Sequence, residues 1–175
     1  MDVLSASAAL TGVLAAGFFD WKLRRIPNWI TGVMMCFGLL INTWANGSEG
    51  FTYSAFGLVS GILLLYIPFA CHGMGGGDVK LLGALGSILG PGLVFKIFLV
   101  SALFGGLFSL VVMARNRAMN QTLKRLGGMA WNRLLYFLAT GKILAEPGEM
   151  LGDNRLTIPY AFAIGCGTMF VLFLL

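Results

Sequence analysis

Residues 79–114 read VKLLGALGSILGPGLVFKIFLVSALFGGLFSLVVMA, and whether this stretch crosses a bilayer once or twice decides the fold. As one helix it would reach about 54 Å at about 1.5 Å per residue, against a hydrocarbon core of about 30 Å. Pro91-Gly92 interrupts it; proline stops a helix and glycine permits a tight turn. The stretch therefore divides into a short helix over 78–90 and a full-length one over 93–114. Outward from it, apolar runs occupy 3–19, 29–45, 51–71 and 158–175. The chain reads as all-α, a polytopic membrane protein with six transmembrane helices.

The basic residues test that count. With an extracytoplasmic N-terminus, the cytoplasmic segments are 20–28, 72–78 with the adjacent Lys80, and 115–157. They hold eleven of the twelve Lys and Arg residues, leaving only Lys96 near the other face. A single span over 79–114 would move the largest basic loop outside, against the positive-inside bias. Both termini are thus expected to be extracytoplasmic, with 1–175 forming one membrane-embedded domain. Composition agrees: 58% of residues are hydrophobic and 11% charged, whereas a soluble domain is about a quarter charged. A soluble monomer, a disordered chain, a coiled coil and a disulfide scaffold are all excluded. The net charge of +5 is an orientation signal, and no nucleic-acid partner is expected. Met1-Asp2 supplies no basic n-region, so the first apolar run is expected to be retained. Residues 131–138, WNRLLYFL, read as an amphipathic piece on the cytoplasmic interface, and 140–154 read as loop.

Two carboxylates stand out. Asp20 ends the first apolar run, and Asp78 opens the fourth helix directly after His72-Gly73-Met74-Gly75-Gly76-Gly77. Both fall at the cytoplasmic membrane boundary, where ionisable groups are costly and are candidates for function. The fourth helix covers only about 20 Å, so either the bilayer thins there or Asp78 is recessed below the surface. Irregular backbone at that depth is tolerated where it lines a wet cavity, which the glycine run suits. Two carboxyls in a poorly solvated place share one proton. The ionised member takes a proton from a water that attacks a peptide carbonyl, and the protonated member donates to the carbonyl oxygen. Opposite helix-dipole ends predict Asp78 as the base and Asp20 as the acid.

This chemistry needs no metal and no cofactor. The single histidine, His72, stands in no triad motif, and HExxH and phosphate-loop patterns are absent. Cys36, Cys71 and Cys166 form no CxxC pair and read as inert core thiols. The same two acids also suit a different class, a small proton-coupled membrane transporter with Asp20 and Asp78 as a relay. The lack of an internal repeat and the placing of both acids at one face weigh against it.

Gly75-Gly76-Gly77-Asp78 followed by Val79-Lys80-Leu81-Leu82 resembles the GxGD signature of intramembrane aspartic peptidases, and among them the type IV prepilin peptidases. Asp20 with Arg24-Arg25-Ile26-Pro27-Asn28 looks like that family's other catalytic position. The resemblance continues to Thr157-Ile158-Pro159-Tyr160 at the start of the last helix. Full-length members carry a cytoplasmic domain with two CxxC pairs, associated with N-methylation. This chain has no such insert between its first spans, so it is similar to the short, peptidase-only branch that serves Flp (tad-type) pili. Archaeal preflagellin peptidases share the GxGD plan and are the alternative within the family.

The resemblance implies an enzyme of the bacterial inner membrane that cuts a short basic leader from prepilins and pseudopilins at the cytoplasmic face. It makes Asp20 and Asp78 the catalytic pair and Gly75, Gly76, Gly77 and Lys80 the active-site loop. Gly75 and Gly77 would offer backbone groups to an extended substrate strand. Lys80 would either hold the Asp78 carboxylate ionised or snorkel to headgroups. Asn28 reads as the cap of the second helix, and Thr157 and Pro159 as the cap and first turn of the last. Glu146, Glu149 and Asp153 are candidates for meeting the basic leader, with anionic lipid assisting. No partner beyond such substrates and membrane lipid is expected.

Overall fold

A computed structural model describes residues 3–23, 25–70, 74–115 and 160–174. Among these the regular structure is helical throughout: α1 (Val3–Leu23), α2 (Asn28–Ala70), α3 (Gly76–Leu89), α4 (Pro91–Arg115) and α5 (Tyr160–Phe173). α1, α2 and α4 are long and apolar enough to cross a membrane; α5 is a shorter apolar helix. The chain divides into two compact units, residues 1–105 with 159–175, and residues 106–158. The first carries the features that follow. The amphipathic piece at 131–138, the loop at 140–154, His72 and Arg24 lie outside the described residues.

α2 is two helical limbs. Its 43 residues break at Asn46 (φ −130°, ψ 16°) and Gly47 (φ 58°, ψ −134°), a backbone turn that glycine makes without Cβ strain. The turn takes two residues, where the sequence had suggested a loop to residue 50. Both limbs return to the same part of α3. Gly38 of the first lies against Ser87 and Ile88, and Gly57 of the second lies against Gly86. The second expected break is at Gly90 (φ 82°), between α3 and α4, with Pro91 as the first residue of α4. Proline is at home there, because its missing N–H would be unpaired in any residue.

α3 is the centre of the first unit. Every residue from Leu81 to Leu89 is buried, most of them completely. It is 14 residues long, about 21 Å, so its C-terminal carbonyls end at depth and must find donors. All four do. The Gly90 N–H donates to Gly86 O at 2.8 Å. Asn42 Nδ2 donates to Ser87 O and Ile88 O at 3.0 and 3.2 Å, Ser54 Oγ to Ser87 O, and Tyr53 Oη to Leu89 O at 3.1 Å. The far end of α3 is therefore sealed by α2, while Gly75 and Lys80 at the Asp78 end are exposed.

Close approach of α2 and α3 makes this possible. A Cβ on Gly57 would sit 2.8 Å from the Gly86 carbonyl carbon and 2.9 Å from Gly90 Cα, and one on Gly86 would meet the Gly57 carbonyl in turn. Outside this core the surface is apolar and aromatic. Trp21, Trp29 and Tyr66 stand exposed toward the Asp78 end, and Trp44 and Tyr53 flank the Asn46–Gly47 turn. Amphipathic rings at the two ends of such a surface match the aromatic belts of membrane proteins.

Candidate active site

Asp20 and Asp78 come from different helices and meet at the same end of the first unit. Asp20 lies in the last turn of α1, which runs three residues further to Leu23, and Asp78 lies in the first turn of α3. Each is only 9% exposed, and the carboxylates are close enough to repel one another. Asp78 is fixed by its own helix start. Its N–H donates to Gly75 O at 3.2 Å, and its carboxylate accepts the Gly75 N–H. The acid at the third helical position thus reaches back to the cap residue, as in one half of a capping box; Gly75 has no side chain to supply the other half. Both backbone groups of Gly75 are thus engaged with Asp78.

The two sequence motifs touch at two further points. Ile26 packs on Gly77, where a Cβ would lie 3.1 Å from the Ile26 Cβ. Lys80 Nζ donates to Asn28 Oδ1 at 2.9 Å. Lys80 is therefore engaged with the start of α2 and not with headgroups alone, and Asn28 serves as its acceptor besides opening the helix. Gly76 faces the Phe69 ring, at 3.3 Å from the place of a Cβ. The requirement for small residues before Asp78 is explained by these two neighbours as much as by backbone freedom.

The start of α5 completes the site, and its part in the chemistry was not foreseen. The Ala161 N–H donates to the Asp20 carboxylate. Tyr160, half-buried, has its hydroxyl within electrostatic range of Asp78. Both carboxylates thus face a helix N-terminus: Asp78 that of α3, Asp20 that of α5. The base and acid roles drawn from each residue's own helix lose their basis, since α5 brings to Asp20 the dipole end that α1 does not. The signal in the sequence was Thr157-Ile158-Pro159-Tyr160, which belongs to the family resemblance but reads locally only as a helix start.

Thr157, Pro159, Glu146, Glu149 and Asp153 lie outside the described residues. Among the described residues no three His, Cys, Asp or Glu side chains group as a metal-ligand set. What the arrangement offers is two nearly buried carboxyls at one end of the unit, beside an exposed glycine turn.

The chain is similar to the prepilin leader peptidase/N-methyltransferase of Burkholderia pseudomallei strains 1026b and K96243, at 28% identity over 121 residues, 65% of this chain and 39% of each relative. It is similar to the preflagellin peptidase of Methanococcus voltae at 29% over 100 residues, 55% of this chain and 42% of that protein. The chain spans about two fifths of the length of the curated relatives it matches. No solved structure matches it. A family model described as the type IV leader peptidase family matches residues 7–110, a stretch that includes both aspartates, the glycine run and Lys80. With more than half its length matched, the chain belongs to the type IV leader peptidase family.

Proposed function

We propose that this chain is an aspartic endopeptidase that removes the short basic leader from type IV prepilins of the Flp kind, with Asp20 and Asp78 as its catalytic pair. The observation that carries the reading is the meeting of two nearly buried carboxylates beside an exposed glycine turn. One carboxylate accepts a proton from water as the water oxygen bonds to the scissile carbonyl carbon. The other, protonated, donates to the carbonyl oxygen as it becomes an alkoxide. The proton gained by the first is then passed to the peptide nitrogen, the C–N bond breaks, and leader and mature protein separate. No metal or cofactor is required for any step.

The site belongs, on this reading, at the cytoplasmic face of a bacterial inner membrane, in a six-span chain with both termini outside. The basic segments and the exposed Lys80 beside the dyad favour that face. N-methylation is not part of the proposed activity, because the chain carries no CxxC pair. Identity to the Methanococcus voltae preflagellin peptidase is as high as to the Burkholderia proteins, which makes a preflagellin leader the second substrate to offer. The test is co-expression in membranes with a Flp-type prepilin, comparing the wild type with Asp20→Asn and Asp78→Asn by gel shift. Leader removal by the wild type and its retention with either near-isosteric variant is expected. Cleavage that persists in both variants at wild-type rate refutes the two-aspartate mechanism and brings the proton-relay transporter forward.

A further inference from the structure

The motif Arg24-Arg25-Ile26-Pro27-Asn28 follows Asp20 in the sequence, yet of the two only Asp20 enters the chemistry above. Three contacts join residues 26–29 to the two helices that carry the dyad. Trp29 meets Phe19, the residue before Asp20, edge to face, with ring centroids 6.2 Å apart and planes at 81°. Asn28 Oδ1 accepts from Lys80 Nζ at 2.9 Å, two residues after Asp78. Ile26 lies on Gly77, the residue before Asp78: a Cβ there would be 3.1 Å from the Ile26 Cβ and 3.4 Å from its Cγ1 and Cδ1. These contacts are unequal. The Lys80–Asn28 bond is exposed and contributes little, and the Trp29 side chain is largely exposed. Ile26 is partly buried against the core and rests on main chain, so nothing on the Gly77 side can rotate away. Phe69 also flanks the glycine turn, at Gly76, but it comes from the opposite end of α2. Ile26 stands six residues after Asp20 on a stiff link: Pro27 has a fixed φ, and its carbonyl accepts the Ile30 N–H at 3.1 Å.

We propose that Ile26 is a positioning residue of the dyad: seated on the main chain of α3 at Gly77, it sets the separation of Asp78 from Asp20, and residues 26–29 are the bracket between the two aspartate-bearing helices. The inference rests on the two-aspartate reading above and deepens it. All of α2 separates α1 from α3 along the chain, so no direct connection fixes how the two helices seat at this end. The bracket does so within a few residues of Asp20. Without the Ile26 side chain the start of α3 settles toward the vacated space, and Asp78 moves with it. A shift of about 1 Å costs on the order of 100-fold in rate. The spacing of the carboxyls enters the chemical step, so the loss falls on kcat and not on KM.

The test uses the full chain in detergent with a Flp-type prepilin carrying a basic leader. Ile26→Ala keeps the Cβ and removes the rest of the side chain. A fall in kcat per folded molecule of about tenfold to 100-fold is expected, with KM within about twofold. Ile26→Val, which keeps the β-branch and loses only Cδ1, restores most of kcat. Gly77→Ala, whose Cβ would crowd Ile26, also lowers kcat. Combined with Ile26→Ala it gives back part of the loss, because the new methyl occupies space that the isoleucine has left. Val33→Ala, at an exposed position on α2, leaves kcat as in the wild type. A contact that only stabilises the fold would lower the melting temperature and leave kcat per folded molecule unchanged. That result for Ile26→Ala, or single effects on kcat that simply multiply in the double variant, alongside inactive Asp78→Asn, overturns the role of Ile26 alone. Should Ile26→Ala not fold, the cycle is run with Ile26→Val against Gly77→Ala, where partial recovery is again expected and multiplying effects again overturn the role. An active Asp78→Asn enzyme overturns the reading beneath it and the inference with it.

Discussion

Replacing Gly57 by alanine tests whether the seating of α3 controls the dyad. The added Cβ would lie 2.8 Å from the Gly86 carbonyl carbon and 2.9 Å from Gly90 Cα, where carbon atoms ordinarily pack at about 3.5–4.0 Å. Each opposing atom is backbone, so no side chain can rotate away. The Gly86 carbonyl oxygen is nearer still, so α2 and α3 must part by more than about 1 Å to restore ordinary packing distances. Overpacking of this kind costs roughly 1–3 kcal/mol. Asp78 moves with α3 while Asp20 stays on α1, and a misplacement of about 1 Å costs on the order of 100-fold in rate. Gly86→Ala, which meets the Gly57 carbonyl from the other side, should behave alike. Gly32→Ala is the control: it lies in the same helix α2 with open space around its Cβ position, and alanine should stabilise it by up to about 1 kcal/mol. Thermal unfolding in detergent and leader-cleavage kinetics, read together, decide the matter. If Gly57→Ala melts and cleaves like Gly32→Ala, close α2–α3 contact does not set the site.

Asn42→Leu strips Ile88 O of its donor while Ser87 O keeps Ser54; one orphaned buried carbonyl costs about 1–3 kcal/mol. The melting temperature should fall accordingly, and with Ser54→Ala added it should fall by more than the sum of the two single effects, because only the double variant strips Ser87 O of both donors; an unchanged melting temperature refutes the account of how α3 ends. Lys80→Met breaks an exposed bond to Asn28 and should cost under about 1 kcal/mol with cleavage largely retained, so a loss as complete as that of Asp78→Asn would show that Lys80 acts on the dyad itself. Replacing Glu146, Glu149 and Asp153 together by alanine should raise KM for a wild-type basic leader but not for one whose lysines are changed to glutamine; equal cleavage of both leaders removes these acids from recognition.

What could be read from the sequence is what one segment determines by itself. Proline is disfavoured inside a helix, so the division of 79–114 was legible, but the turn is made by Gly90 with φ 82°, and Gly92, read from the sequence as the turn glycine, lies within α4, which begins at Pro91; Pro68, by contrast, is carried inside α2. The pairing of Asp20 with Asp78 was legible because both follow apolar runs of countable length and one follows a glycine run. The rest depends on partners distant in the chain. Asn42, Ser54 and Tyr53 look like scattered polar residues in apolar helices until the carbonyls of α3 are placed beside them. Ala161 donates through its main chain, which no residue identity announces, and Tyr160 reads as an ordinary helix-start aromatic until Gly105 is set against its ring.

The shortness of α3 carries a functional consequence. A helix of about 21 Å leaves about 9 Å of a 30 Å hydrocarbon core uncovered, and the deficit has to appear at one end. Were it at Asp78, the dyad would lie under lipid without the water that hydrolysis consumes, and two carboxyls would be desolvated for nothing. At Leu89–Gly90, by contrast, donors from α2 satisfy the Ser87, Ile88 and Leu89 carbonyls, the Gly90 N–H satisfies that of Gly86, and Gly90 turns the chain directly into α4, which suits a deficit taken at that end. Gly75 and Lys80 are left exposed at the other end, and a lysine there requires contact with water or headgroups. Asp78, 9% exposed, lies between exposed Gly75 and exposed Lys80, and on the proposed mechanism this end of α3 is where water reaches the two carboxyls. Capping at the far end and catalysis at the near end are in this sense one requirement: the helix can be short only because α2 seals it, and it must be short at that end for the dyad to remain wet.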